Sequence, residues 1–221
     1  MLNFYGRKSP RRLKKKDLES LFSSNFFFHQ KNISSLVNHC LNKSILNLEI
    51  GFGSGENILE NALKYDNEIF IGCDPYLRGA LSLKKHIEKF RLNNLIITNL
   101  SFQEFYEYIK IYTFSKILIL FPDPWPKKRH MKRRLISKSF LSALFKICND
   151  ESKIIISSDD VNYVNEILYK FYLNKNFILS TNLFGEKLIK YFDLEETKYY
   201  KKAKNNKKKT YFFLYSLKNK S

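Results

Sequence analysis

The sequence is short of acid. Twenty-one aspartates and glutamates stand against 39 lysines and arginines, giving a formal charge of +18 and a pI near 9.7. Such a field attracts polyanions and raises encounter rates with them, which makes nucleic acid the leading partner class. The plainer alternative is a lysine-, asparagine-, isoleucine- and phenylalanine-heavy composition whose charge is merely solvated. Cysteine is also scarce: Cys40, Cys73 and Cys148 are widely spaced, with no C-x-x-C pair, which excludes a disulfide framework or a zinc site and suits a reducing cytoplasm. No apolar run approaches the roughly 18 residues of a membrane-spanning helix, and the first residues lack the apolar core of a secretory signal. Asp17 and Glu19 interrupt the basic start and argue against a transit peptide. Neither a membrane nor a metal is therefore expected. Glycine and proline are few, seven and five in 221 residues, yet three glycines fall within residues 51–55 and three prolines within 122–126.

The length fits one hydrophobic core and hence one domain. Residues 1–30 read as a flexible basic arm carrying Arg7, Lys8, Arg11, Arg12, Lys14, Lys15 and Lys16, and 31–221 as the domain. Short apolar runs at 45–50, 69–73, 95–98, 117–121, 154–157, 177–181 and 211–217 suit strands buried on both faces. Helical segments near 33–42, 56–65, 77–91, 134–148 and 160–174 supply the crossovers. This alternation predicts an α/β fold, a Rossmann-like, doubly wound, mostly parallel sheet of about seven strands. Residues 201–209, with six lysines, read as a solvent loop between the last two strands.

The glycine cluster Glu49-Ile50-Gly51-Phe52-Gly53-Ser54-Gly55 closes the first strand. A dinucleotide fingerprint needs a third glycine where Glu56 or Ile58 stands, and a P-loop needs a Gly-Lys-Ser/Thr that is absent. Glu49 would repel a pyrophosphate and attract a cation, and S-adenosylmethionine carries a sulfonium and an ammonium. Asp74 closes the second strand 19 residues beyond Gly55, close to the separation at which an acid grips ribose hydroxyls in this fold class. Asp74 followed by Pro75 also reads as a helix N-cap, and the two roles can coexist.

The prolines belong to Phe121-Pro122-Asp123-Pro124-Trp125-Pro126-Lys127-Lys128-Arg129-His130, which follows another strand. Three fixed φ angles and three missing donors make a stiffened loop presenting Asp123 and Trp125, a carboxylate and an aromatic face suited to holding a base. Trp125 reads equally as a core anchor. Both loops end parallel strands, so both should open on one crevice.

Here the chain resembles the tRNA (guanine-N7)-methyltransferases, over roughly residues 40–200. The resemblance rests on Glu49 to Gly55, on Phe121 to Trp125 with the basic residues after it, and on Ser158-Asp159. It implies a class I fold and transfer of a methyl group from S-adenosylmethionine to N7 of a variable-loop guanosine in tRNA. It further implies that Glu49, Gly51, Gly53, Asp74 and the Asn99-Leu100 turn bind the cofactor, and that Asp123 sits beside it at the reaction centre. Lys127, Asp159 and the segment Thr197, Lys198, Tyr199 and Tyr200 would contact substrate. Arg129, His130, Lys132, Arg133 and Arg134 would touch RNA phosphates, which fix register without reading sequence. Three positions depart from the family pattern: Leu100 stands where an Asp is usual, Tyr200 replaces the Glu of a T-x-x-E pattern, and Pro126 replaces a His. Guanine N7 carries no proton at neutral pH, so no general base is required, and His29, His39 and His86 lie outside both loops. A catalytically idle RNA-binding protein, an adenine amino-methyltransferase and a small-molecule methyltransferase are the rival readings. Monomer and homodimer both stay open.

Overall fold

The computed structural model describes residues 13–29, 45–181 and 184–218. The segment expected as a helix near 33–42 and the first 12 residues of the arm lie outside them. The chain runs α1 (Lys15–Phe22), β1 (Phe27–Phe28), β2 (Leu46–Ile50), α2 (Glu56–Lys64), β3 (Ile69–Cys73), α3 (Leu77–Phe90), β4 (Leu95–Thr98), α4 (Phe102–Ile109) and β5 (Phe114–Leu120). A 3₁₀ segment (Lys128–Arg133), α5 (Lys138–Lys146), β6 (Cys148–Ser158), α6 (Val161–Leu173), β7 (Phe177–Leu179), α7 (Glu186–Tyr191), α8 (Lys198–Asn205) and β8 (Tyr211–Leu217) complete it.

These strands form one sheet in the order β1-β4-β3-β2-β5-β6-β8-β7. The pairs from β1 through β6 are parallel, and β8 runs antiparallel to both β6 and β7. From β2 the chain winds outward through β3 and β4, then returns to lay β5 on the other side of β2. The carboxyl ends of β2 and β5 therefore flank the point where the strand order reverses, the usual place for a ligand crevice in open α/β sheets. Every residue of β2, β3 and β4 is buried, as runs covered by helices on both faces require. Among the described residues no helix is long and apolar enough to cross a membrane.

Several elements differ from the sequence-based expectation. Strands β5 and β6 begin earlier, at Phe114 and Cys148, because Ser152 is buried and its Oγ donates to the Phe114 carbonyl at 2.6 Å. That bond makes a polar stretch of sequence compatible with a sheet interior. Part of the expected arm is built into the domain: α1 buries Leu21, and β1 adds an eighth strand beside β4 with Phe26 and Phe27 in the core. The lysine-rich segment expected as a loop forms α8, whose N-cap Thr197 accepts from the Tyr200 N–H at 3.2 Å while Tyr200 and Ala203 face inward. Helix α4, which the strand-helix alternation left out, carries a capping box between Ser101 and Glu104 and buries Phe102, Phe105 and Ile109.

Candidate active site

Two loops of opposite character meet at the switch point. In the glycine loop, the Gly51 N–H donates to the Cys73 carbonyl and the Gly55 N–H to the Phe52 carbonyl, both at 2.8 Å. Gly55 adopts φ +88°, and a Cβ there would stand 2.8 Å from Leu83. The tightest approach involves Gly79 in α3, where a Cβ would lie 1.8 Å from the Gly53 carbonyl oxygen. Helix and loop thus touch backbone to backbone, and Gly79 is a site residue that sequence spacing did not single out.

Asp74 at the end of β3 fastens this loop. Its Oδ2 accepts from the Gly53 N–H and its Oδ1 from the Tyr76 N–H, both at 2.8 Å. Burial raises its pKa, those two bonds oppose the rise, and the Asp123 charge adds to it. The N-cap position of α3 belongs to Tyr76, so Asp74 closes a turn before the helix rather than capping it. Each carboxylate oxygen keeps a lone pair for a ligand hydroxyl.

Glu49 points elsewhere. It lies behind the glycine loop, 3% exposed, and accepts from Asn57 Nδ2 at 2.8 Å on the α2 side of the sheet. Desolvation pushes its pKa from an ordinary 4.5 up to about 8, against the lowering effect of Asn57. A nearby cation would favour its charged form.

The proline loop leaves β5 through Phe121, whose N–H donates to both the carbonyl and the hydroxyl of Ser157 at 3.1 Å. Phe121 and Trp125 adopt φ of +51° and +42°. Side chains rarely hold this backbone region, at a cost on the order of 1–3 kcal/mol each. Asp123 stands at the mouth of the crevice, open to solvent on one side and desolvated on the other, which raises its pKa. Trp125 is half-buried and lines the crevice, with His130 edge-on at 5.8 Å and the Arg133 guanidinium 4.9 Å from its ring.

Between the loops lies a crevice of about 450 Å³. Gly51, Gly53 and Asp74 line one side, Asp123, Trp125 and Arg133 another, and Lys198 and Tyr199 from α8 a third. The Tyr199 ring lies over the glycine loop, 3.6 Å from where a Gly53 Cβ would be. Its hydroxyl pKa is raised by burial first and then by Asp123 and Asp74. The amino end of α4 closes the crevice with Ser101, Phe102 and Gln103, residues that belong to neither loop motif. Gln103 Oε1 is buried without a hydrogen-bond partner. An open glycine floor, a carboxylate at a strand end and a spare buried acceptor fit a nucleoside-bearing cation such as S-adenosylmethionine.

Other expected site residues sit outside the crevice. Leu100 is in the core beside β4, and the neighbouring Asn99 keeps a buried Oδ1 without a partner. Tyr200 packs its ring against Phe121 and Phe212 at 6.1 and 5.7 Å, so the departure from T-x-x-E places an aromatic where it supports the proline loop from below. Thr197 is occupied as a cap. Asp159 at the end of β6 pairs with Lys208 at 3.0 Å. Lys127, Arg129 and Lys132 are exposed, and His130, beside them, has its pKa lowered by desolvation and then by Arg133, Arg129 and Lys127. Arg134, expected at an RNA contact, stands apart from these exposed neighbours. It is 5% exposed, turned inward, and paired with Glu166 of α6.

The fold and this crevice define a class I methyltransferase. Among solved structures, an antibiotic-related methyltransferase superposes with a TM-score of 0.59 at 17% identity, over 84% of this chain and 94% of that one. The 16S rRNA methyltransferase KamB superposes with a TM-score of 0.60 at 13% identity, over 86% and 94%. At such identities the likeness concerns fold alone. Closer in sequence is the tRNA (guanine-N(7)-)-methyltransferase of Neorickettsia sennetsu, 33% identical over 166 residues, 75% of this chain and 73% of that protein. The protein of the same name from Wolbachia pipientis wMel is 34% identical over 170 residues, 77% and 74% of the two chains. The putative methyltransferase family Methyltransf_4 matches residues 43–213, and the chain belongs to it.

Proposed function

We propose that the protein transfers a methyl group from S-adenosylmethionine to N7 of a guanine in tRNA, in the cytoplasm. The observation that carries this reading is the meeting of the glycine loop, fastened by Asp74, with the proline loop, presenting Asp123 and Trp125, across one crevice. Relatives at 33% and 34% identity are named for that reaction. Bound S-adenosylmethionine would supply an electrophilic methyl, and guanine N7 has an in-plane lone pair to receive it with no base.

The chain's own part is then to bind, orient and exclude water. Gly51, Gly53 and Asp74 hold the cofactor, with Glu49 and Asn99 reserving polar atoms behind it. Trp125 and Tyr199 offer aromatic faces to the base. Asp123 orients the guanine and offsets the positive charge that develops on it. Fixing two reactants in line supplies roughly 7–11 kcal/mol of barrier reduction in well-oriented systems, enough to make positioning the main catalytic device. Lys127, Arg129 and Lys132 meet phosphates on the outer side, and Lys198 does so from α8. Asp159 receives substrate polar groups after releasing Lys208. Recognition of one nucleotide rests on the folded shape of the RNA.

The test is direct. Purified protein is incubated with S-adenosylmethionine and unmodified tRNA, the RNA is digested, and nucleosides are identified by mass spectrometry. 7-Methylguanosine is the expected product; another methylated nucleoside would overturn the choice of base, and none despite tRNA binding would favour an idle RNA-binding protein.

A further inference from the structure

Arg134 follows the 3₁₀ segment Lys128–Arg133, whose six residues are all exposed or half-exposed, yet its own side chain is 1% exposed. Its Nε donates to the Pro124 carbonyl at 2.8 Å, and its Nη1 pairs with Glu166. The second oxygen of Glu166 pairs with Lys170, whose ammonium also donates to the Ile136 carbonyl at 2.6 Å. The guanidinium lies 4.8 Å from the ring of Tyr163, and the Tyr163 hydroxyl accepts from the Ile136 N–H at 3.2 Å. Tyr163, Glu166 and Lys170 are spaced three and four apart, which places them along one stripe of α6. That stripe grips the segment 124–136 at both ends, at Pro124 through Arg134 and at Ile136 directly.

The gripped carbonyl lies between the two residues that face the crevice. Asp123 precedes Pro124 and Trp125 follows it, and the backbone here is strained at Phe121 and Trp125. Such strain persists only where surrounding contacts determine the conformation. Three prolines remove three of the loop's own donors, and Arg134 supplies one to the half-buried Pro124 in a fixed, planar geometry that lysine does not reproduce.

We propose that Arg134, anchored by Glu166, is a positioning residue of the transfer reaction: it fixes Asp123 and Trp125 in the crevice and makes no phosphate contact with RNA. This deepens, and rests on, the reading of Asp123 as a group at the reaction centre.

Trp125 is the one tryptophan of the chain, so emission excited to the red of tyrosine absorption reports on this loop alone. The experiment compares Arg134→Lys, Glu166→Gln and the double variant with the parent protein. For each it measures kcat, KM for both substrates, tRNA affinity against salt, Trp125 emission, and the folded state by circular dichroism. In folded protein we expect kcat to fall at least about tenfold in Arg134→Lys, with a shifted Trp125 emission and an unchanged salt slope. Glu166→Gln should move the same quantities less, and the double variant should add little, since the two side chains act as one unit. In Arg134→Gln, which removes the charge, a salt slope reduced by about 0.7–0.9, the signature of one lost phosphate contact, with kcat intact would overturn the proposal. Unchanged kcat and emission would overturn it equally. Asp123→Asn measured alongside separates the two readings: near-native turnover there removes the role of Asp123, while Trp125 emission in Arg134→Lys reports the brace by itself.

Discussion

The two loops of the crevice are made rigid by opposite means. The glycine loop has conformational freedom and spends it on closeness: it folds against α3 and is tied by its own backbone and by Asp74, only 19 residues further along the chain. The proline loop has little freedom and few donors, so its hold comes from elsewhere, from Tyr200 and Phe212 beneath and from Arg134 and α6 behind. A loop that serves a small cofactor can be self-contained. One that faces a macromolecule exposes one side and must be anchored from the other.

Substitutions can break this contrast, and Gly79→Ala should have the largest effect. Its methyl would have to displace the Gly53 carbonyl from 1.8 Å, so cofactor affinity should be lost beyond measurement by calorimetry with S-adenosylhomocysteine. Stability should also fall by about 1–3 kcal/mol, as overpacking does, read as a lower melting temperature. Asp123→Asn leaves both loops folded and should lower kcat by roughly 10²–10³ while cofactor affinity changes little. Single-turnover kinetics with saturating tRNA checks it.

On the outer side of the proline loop, neutralising Arg129 and Lys132 together should leave saturated turnover nearly unchanged and weaken tRNA binding. The slope of log affinity against log salt should shrink by about 0.7–0.9 per lost contact. Filter binding between low and moderate salt measures it, and an unchanged slope would show that these side chains do not meet phosphates.

The last effect is on stability and its pH dependence, not on turnover, and concerns Glu49 behind the glycine loop. With its pKa raised from 4.5 to about 8, the folded chain keeps a proton that the unfolded chain releases. Its contribution to stability is therefore fully present below about 4.5 and is lost as pH rises through about 8. The melting temperature of the cofactor-free protein should fall across that window by more than that of Glu49→Gln. A parallel pH dependence in both proteins would refute this.

The same contrast explains what the sequence disclosed. The doubly wound order, the two loops and Asp74 were legible because their causes are local: apolar runs of strand length, clustered glycines, clustered prolines and an acid at a strand end. Helix α4 carries a local signal too, Ser101 and Glu104 at capping-box spacing, which the pattern of apolar runs alone does not contain. The inward turn of Arg134 was not, since nothing in a run of cations marks the one whose partner is Glu166, 32 residues on. Nor was the helical state of the lysine-rich segment, where two inward residues, Tyr200 and Ala203, outweigh the exposed charges around them.

The sheet's ends carry a last consequence. Among the described residues it is eight strands wide, yet β1 and β7, which terminate it there, contribute only two and three residues. Long bare edges are templates on which other chains add strands and aggregates grow. A chain with 20 phenylalanines and 14 tyrosines has reason to avoid offering one. Short margins, together with mutual repulsion between molecules of charge +18, should keep this aromatic-rich protein dispersed at concentrations where a blunt-edged sheet would precipitate.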